Sequence, residues 1–263
     1  MNERLIYIGL SGLAGSGKTT TADLLAPSVG QFYHDPALAK PEIFTHFTLA
    51  APIYDMVGIM RGTEGDGKKD RILHQLHEII YSLIGSRLSY NEFYDLVNDV
   101  ATWPVGTSFD AKPRKFMQDI GDLLRSVYED CFVSHMINKV YRDTAAVDDD
   151  YYAMGAEPPI HYAVISDIRY ANEMEKLRDS AQVIMVKLDV SFDIANQRIL
   201  DRDDVAMTKE QWDHPTEAGF PDDEFDLIIN TDELTKAEVV AEIKKFLEPN
   251  EQEILLSVEA AAS

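Results

Sequence analysis

Cysteine is all but missing from this chain of 263 residues, since Cys131 stands alone and has no partner within the chain for a disulfide. It lies in an apolar helical pattern and reads as a small buried thiol rather than a nucleophile, which tells against redox chemistry. Also missing is any run of about 18 apolar residues, the least a helix needs to cross a bilayer. The N-terminus shows no charged segment followed by an apolar stretch and a cleavage site, so a soluble, cytoplasmic protein without a membrane partner is the expectation. Basic residues are scarce: 24 Lys and Arg against 46 Asp and Glu leave a formal net charge of −22 at pH 7. Such a surface repels a nucleic-acid backbone at long range and tells against polymeric nucleic acid as a partner. Small anions need the few cations gathered in one place, so each cluster of arginines carries information here.

What is present begins near the N-terminus. Leu5-Ile6-Tyr7-Ile8-Gly9-Leu10 reads as a buried strand, Gly12-Leu13-Ala14-Gly15-Ser16-Gly17-Lys18-Thr19 follows it, and Thr20 to Leu25 reads as a helix. A Gly, four residues, Gly-Lys and then Ser or Thr is the spacing of a phosphate-binding P-loop, and strand before and helix after are its required context. The glycines let consecutive N–H groups turn inward around phosphate oxygens at the positive end of the helix. Lys18 then reaches the β- and γ-phosphates of ATP, and the Thr19 hydroxyl serves Mg²⁺. The expected ATP contacts run from Gly12 through Leu13, Ala14, Gly15, Ser16, Gly17, Lys18 and Thr19 to Thr20.

Further along, strand composition recurs at Ile43 to Leu49, Tyr162 to Ser166, Val183 to Leu188 and Phe225 to Ile229, with helical patterns at residues 171–178, 192–201 and 235–247. Five strands joined by helical crossovers predict an α/β fold with a mostly parallel sheet covered on both faces. Residues 1–249 form one domain in this reading, 50–142 a helical insertion at the ligand edge, and 250–263 a frayable tail. Within the insertion, Ser89-Tyr90-Asn91-Glu92 is a capping box, and Lys112 to Arg142 reads as one long helical pattern opened by Pro113. Asp143 to Pro159 reads as an acidic linker in which Asp148-Asp149-Asp150 is solvated. His77-Glu78-Ile79-Ile80-Tyr81 begins like a zinc-protease helix but has Tyr81 where the second His must stand, so a helical zinc site with His74 and His77 is not expected.

Several residues outside the loop have the chemistry that phosphoryl transfer needs. Asp167 ends the third strand, where ligands of open α/β sheets collect, and is expected to hold Mg²⁺ or orient the acceptor, unless it only caps a turn. Arg169 points a guanidinium into the same place, or forms a surface ion pair. Arg114, Gln118 and Arg125 share one helix face, with Gly121 leaving room, and read either as a clamp for a monophosphate or as a solvated face. Arg198 and Arg202, a turn apart before the polar stretch Asp203 to Pro215, read as lid arginines over the transferring phosphoryl or as surface residues, with a lid-like segment at about 198–217. His214 reads as a loop residue or a switchable contact.

Together these residues resemble the deoxynucleoside monophosphate kinases of tailed bacteriophages. The resemblance rests on Gly12 to Thr19, on Pro113-Arg114 with Gln118, Gly121 and Arg125, on Ser166-Asp167-Ile168-Arg169 with Asn172-Glu173, on His214-Pro215-Thr216-Glu217, and on Phe225 to Asn230. It implies a P-loop kinase fold and ATP-dependent, Mg²⁺-assisted phosphorylation of deoxynucleoside 5′-monophosphates, often by a homodimer. It also implies acceptor contacts at Arg114, Gln118, Arg125 and Arg169, beside the catalytic or phosphate-contact roles that the residues themselves suggest for Lys18, Asp167, Arg169, Arg198 and Arg202. Two departures stand out: Thr19 where some members have Asp, and Tyr54 in Ala51-Pro52-Ile53-Tyr54 where a Lys is expected. Two alternatives stay open: a kinase for another small phosphorylated metabolite, of the dephospho-coenzyme A or phosphomevalonate type, and a nucleotide-sensing module that transfers nothing.

Overall fold

Leu5–Ser11 and Ile160–Ile165 show no polar alternation because both of their faces are covered: every residue of the two strands is buried. The computed structural model describes residues 4–26, 28–29, 42–61, 69–102, 113–204, 206–213 and 219–261. In chain order the elements are β1 (Leu5–Ser11), α1 (Lys18–Leu25), β2 (Ser28–Val29), β3 (Glu42–Phe47), α2 (Ala51–Arg61), α3 (Lys69–Ile84), α4 (Tyr90–Thr102), α5 (Arg114–Val127), α6 (Cys131–Ala153), β4 (Ile160–Ile165), α7 (Ala171–Ser180), β5 (Gln182–Asp189), α8 (Phe192–Asp203), α9 (Lys209–Trp212), β6 (Leu227–Asn230) and α10 (Lys236–Ala261). They divide into two compact units, Met1–Thr48 with Ile137–Ser263, and Leu49–Met136.

Among the described residues the first unit is an α/β sheet of six strands in the order β2-β3-β4-β1-β5-β6, with every pairing parallel. Five of them are the strands expected from composition; the sixth, β2, is a two-residue edge strand paired with β3. So short a segment has no periodicity to betray it. Ile6, Ile8 and Leu10 of β1, with Val164 of β4 and Ile184, Val186 and Leu188 of β5, pack under Ala22 and Leu25 of α1 and Val239, Ile243 and Leu247 of α10. Each of these Val, Leu and Ile side chains contributes about 1.5–3 kcal/mol by leaving water. On the opposite face, a Cβ at Gly9 would stand 2.5 Å from both Ile168 Cδ1 and Met185 Sδ, so only glycine lets that layer close on β1.

Three expectations are corrected in the helices. The long pattern from Lys112 to Arg142 is two helices, α5 and α6, because Tyr128 turns extended at φ −150° and ψ 105° and its carbonyl accepts from the Cys131 amide at 3.0 Å. The acidic segment after Asp143 is helix rather than linker: α6 continues to Ala153, and Asp148 is no solvated residue, since its Oδ1 lies 2.7 Å from Nε2 of the fully buried His161. The last helix does not stop at Leu247 but runs on to Ala261, through most of the expected tail.

The second unit is helical, made of α2 to α5 and the start of α6. Its buried apolar residues include Ile53, Met56 and Val57 of α2, Leu76, Ile80 and Leu83 of α3, Phe93, Val97 and Val100 of α4, and Phe116, Ile120 and Leu124 of α5, at helical spacing. The Ser89–Glu92 capping box forms as expected, with the Ser89 amide donating to Glu92 Oε2 at 2.9 Å. Cys131, the first residue of α6, is buried. No helix of the described residues is long and apolar enough to cross a membrane.

Candidate functional site

The loop after β1 is shaped by backbone that side chains resist. Gly12, Gly15 and Gly17 have φ of 142°, 83° and 95°, and Gly17 caps α1 in the left-handed region. Crowding also demands glycine: a Cβ at Gly12 would collide with the Leu188 carbonyl at the end of β5, and one at Gly15 would come 2.5 Å from the carbonyl of Ala195 in α8. The loop is therefore seated on two neighbouring elements. A glycine turn of this kind at a helix N-terminus is the backbone arrangement that makes an anion-binding concavity.

Lys18, nearly buried, folds its ammonium back over this loop, donating to the carbonyls of Gly12 at 2.6 Å and Leu13 at 2.8 Å and to Ser16 Oγ at 3.4 Å. The charge is thus held at the mouth of the concavity by the loop itself. Ala14, at the loop's apex, packs with Ile199, Met207 and Trp212, and the Trp212 ring lies 4.9 Å from that of Phe192. Thr19 is exposed on the first turn of α1, and Thr20 is half-buried.

The strand ends bring further groups to the same edge of the sheet. Gly9 pairs with Ile165, so Ser166 and Asp167 lie beside the residues of β1 that lead into the loop. Asp167 is half-buried. Arg169 is held by its backbone: its amide and that of Tyr170 donate to Glu173 Oε2 at 2.9 and 3.1 Å. Glu173 is a buried carboxylate in the first turn of α7, where the helix dipole favours it.

The two arginines of α8 are placed differently from each other. Arg198 reaches the loop from its base, donating through Nη2 to the Thr231 carbonyl at 2.7 Å and through Nη1 to Thr231 Oγ1 at 3.3 Å, with the Gly15 carbonyl at 3.5 Å. Arg202 makes a two-pronged pair with its neighbour Asp203, at 2.7 and 2.8 Å. A cavity of about 210 Å³ flanks the loop between Gly12, Leu13, Asp189, Phe220 and Phe225, with Lys187 on its wall. The hydrogen bond from Lys187 to Asp222 at 2.7 Å raises the lysine's pKa, so its positive charge is secure. His214-Pro215-Thr216-Glu217, and with it the end of the lid-like segment, lies outside the described residues.

The second unit carries the other expected set. Arg114, Gln118 and Arg125 are half-buried along one stripe of α5. The Arg125 guanidinium lies 4.7 Å over the Phe132 ring, and a Cβ on Gly121 would stand 3.0 Å from its Nη1. Gly121 is thus the floor against which the Arg125 head rests, and cation–π attraction holds the head there. Tyr54 of α2 is exposed. His77 meets the Phe93 ring edge-on at 4.9 Å.

One polar group was not singled out from sequence. His46 of β3, only 4% exposed, lies 2.8 Å through Nδ1 from Asp23 Oδ1 on α1, and 2.7 Å through Nε2 from Ser166 Oγ. The usable signal was a histidine at a position of an apolar strand where an aliphatic side chain is the ordinary choice. Its partners are distant in the chain and carry no motif.

The donor set suits a nucleoside triphosphate with its magnesium. The glycine cradle and Lys18 match phosphate oxygens, and the Thr19 hydroxyl and Asp167 carboxylate are hard oxygen ligands of the type Mg²⁺ takes. Among the described residues no group of three or more His, Cys, Asp or Glu could cage a metal.

The parallel sheet, its strand order and the loop at the end of β1 define an α/β fold consistent with that of a P-loop kinase. The chain is similar to the deoxynucleoside-5′-monophosphate kinase of Escherichia phage T5, with 23% identity over 244 residues that take in 82% of this chain and 85% of that protein. No family model matches the chain.

Proposed function

We propose that this chain transfers the γ-phosphoryl group of ATP to a deoxynucleoside 5′-monophosphate, giving the diphosphate. The observation that carries the proposal is the glycine cradle with the Lys18 ammonium held across it. The relative in phage T5, aligned over most of both chains, supports the choice of acceptor. Helical units of arginine-bearing faces suit an anionic acceptor, so Arg114, Gln118 and Arg125, with Arg169, are assigned to its phosphate and base. The domain reading of residues 50–142 as the acceptor-holding insertion belongs to this proposal, as does a homodimer.

Phosphoryl transfer asks the protein for position and charge rather than covalent chemistry. Lys18 neutralises charge on the β- and γ-oxygens, while the loop amides fix the phosphate chain so that the acceptor oxygen attacks in line. Thr19 and Asp167 are assigned to hold Mg²⁺, which when bound screens the charge of adjacent phosphates. Arg198 keeps the loop seated by holding Thr231 and Gly15. Arg202, whose exposed pair with Asp203 is worth little, is assigned to swing onto the transferring group.

The test is ADP release from Mg·ATP with dAMP, dGMP, dCMP and dTMP and their ribose counterparts, with Lys18→Ala as control. Turnover dependent on a deoxynucleotide, and lost in the variant, is expected. Tight ATP binding with no acceptor-dependent ADP overturns the assignment.

A further inference from the structure

The buried imidazole of His46 joins three elements. Asp23 lies on α1 four residues after Thr19, on the same helix face. Ser166 is the residue before Asp167, and its amide extends the ladder to β3 by donating to the Phe47 carbonyl at 3.3 Å. His46 sits between them, 2.8 Å from Asp23 and 2.7 Å from Ser166, and Thr48 Oγ1 approaches the same nitrogen at 3.4 Å. With the ring neutral, Nδ1–H donates to the carboxylate and Nε2 accepts from the Ser166 hydroxyl, so both nitrogens are satisfied in one ring orientation.

An aliphatic side chain would fill this strand position without burying a polar ring, so packing alone gives no reason for histidine. Hydrogen bonds differ from packing in being directional. These two run from the helix that bears Thr19 to the strand end that bears Asp167.

We propose that Asp23, His46 and Ser166 form a positioning relay that sets the spacing of Thr19 and Asp167 for the Mg²⁺ that accompanies the nucleotide. The relay rests on the kinase reading for the roles of those two residues. Its members touch neither nucleotide nor metal in this scheme; they act through the neighbours they orient, as outer partners of metal ligands do.

The experiment is calorimetric titration with ADP, with and without Mg²⁺, of the wild-type chain and of His46→Phe, Ser166→Ala and Asp23→Ala. The quantity read is the ratio of the two dissociation constants, which needs no acceptor and no turnover. In each variant the Mg²⁺-dependent tightening is expected to shrink by about tenfold, the lower end for loss of an outer partner of a metal ligand, while affinity without Mg²⁺ stays within about twofold. Because the three act through one imidazole, Asp23→Ala with Ser166→Ala is expected to lose little more than either alone. If His46→Phe fails to fold, Ser166→Ala and the half-exposed Asp23→Ala still carry the test. Variants that melt earlier yet keep the wild-type ratio, or that lose affinity equally with and without Mg²⁺, reduce the relay to core support and overturn it. A wild-type chain whose ADP affinity ignores Mg²⁺ overturns the nucleotide reading and takes the relay with it; the control separates that failure from failure of the relay alone.

Discussion

Two parts of this molecule gather positive charge, and they do it by different means. In the loop from Gly12 to Thr19 the backbone does the shaping: three glycines at positive φ aim the amides, and Lys18 is tied to the loop's own carbonyls. In α5 the backbone is an ordinary helix and the side chains do the shaping, with Arg125 laid over Phe132 and resting on Gly121. The first arrangement strains any side chain at its three glycines but is written in a short run of residues. The second is adjustable and is written only as a spacing along a helix face.

The sharpest way to separate the two is Lys18→Ala. Loss of a charge aimed at the transferring group is expected to cut kcat by about 10²–10³ or more, the scale for removing one such stabilising group. Binding of a deoxynucleotide alone, read by calorimetry, should stay within a few-fold. Equal loss of both would mean that the two regions are not separate sites. Next in size is Gly15→Ala, which forces a Cβ to φ 83° and against the Ala195 carbonyl. A cost of about 1–3 kcal/mol is expected, seen as weaker ATP binding together with a lower melting temperature. The α8 arginines come third: Arg198→Ala should raise the KM for ATP, because Thr231 and Gly15 lose their brace. Arg202→Ala should leave that KM alone and lower kcat by about tenfold, if it reaches the transferring group. An unchanged kcat in Arg202→Ala removes it from the site.

Gly121→Ala probes the adjustable region. Alanine gains about 1 kcal/mol over glycine within a helix, and nothing but the flexible end of Arg125 stands in tight contact, at 3.0 Å. The melting temperature should hold or rise while the KM for the deoxynucleotide increases several-fold. Stability and acceptor affinity moving in opposite directions is the signature of a head group displaced from its seat. If neither changes, Arg125 does not use Gly121 as its floor.

The same contrast explains what could be read in advance. The loop and the five longer strands were legible, because glycine, lysine and unbroken aliphatic runs each have one dominant structural use. The break between α5 and α6 was not: no Gly or Pro marks Tyr128, and the apolar spacing of Val127, Tyr128 and Phe132 continues across it. What ends the helix is tertiary, with the Arg87 guanidinium 3.4 Å over the Tyr128 ring and the Tyr128 hydroxyl 2.8 Å from Ser134 Oγ. A run of three aspartates reads as solvated as a block, whereas helix geometry turns Asp148 alone toward His161. The Asp23–His46–Ser166 chain joins residues 23 and 120 positions apart, and no local pattern encodes a bond over such distances.

The smallest expected effect tests a feature that was fully legible, the cap of α4. The Ser89 hydroxyl and amide donate to Glu92 Oε2 at 2.6 and 2.9 Å, and these two bonds hold the Glu92 pKa below the usual carboxylate value. A carboxylate whose folded pKa is depressed adds stability that is fully present above its unfolded pKa and is lost as pH falls through the folded one. Ser89→Ala should therefore lower the melting temperature slightly at pH 7, and the gap to wild type should close as the solution is acidified below the carboxylate range. Because the pair is exposed, added salt should narrow the gap at neutral pH as well. A gap that persists unchanged in acid would assign the loss to the serine's own helix-capping bond, the Glu92 amide to Ser89 Oγ at 3.4 Å, rather than to the carboxylate.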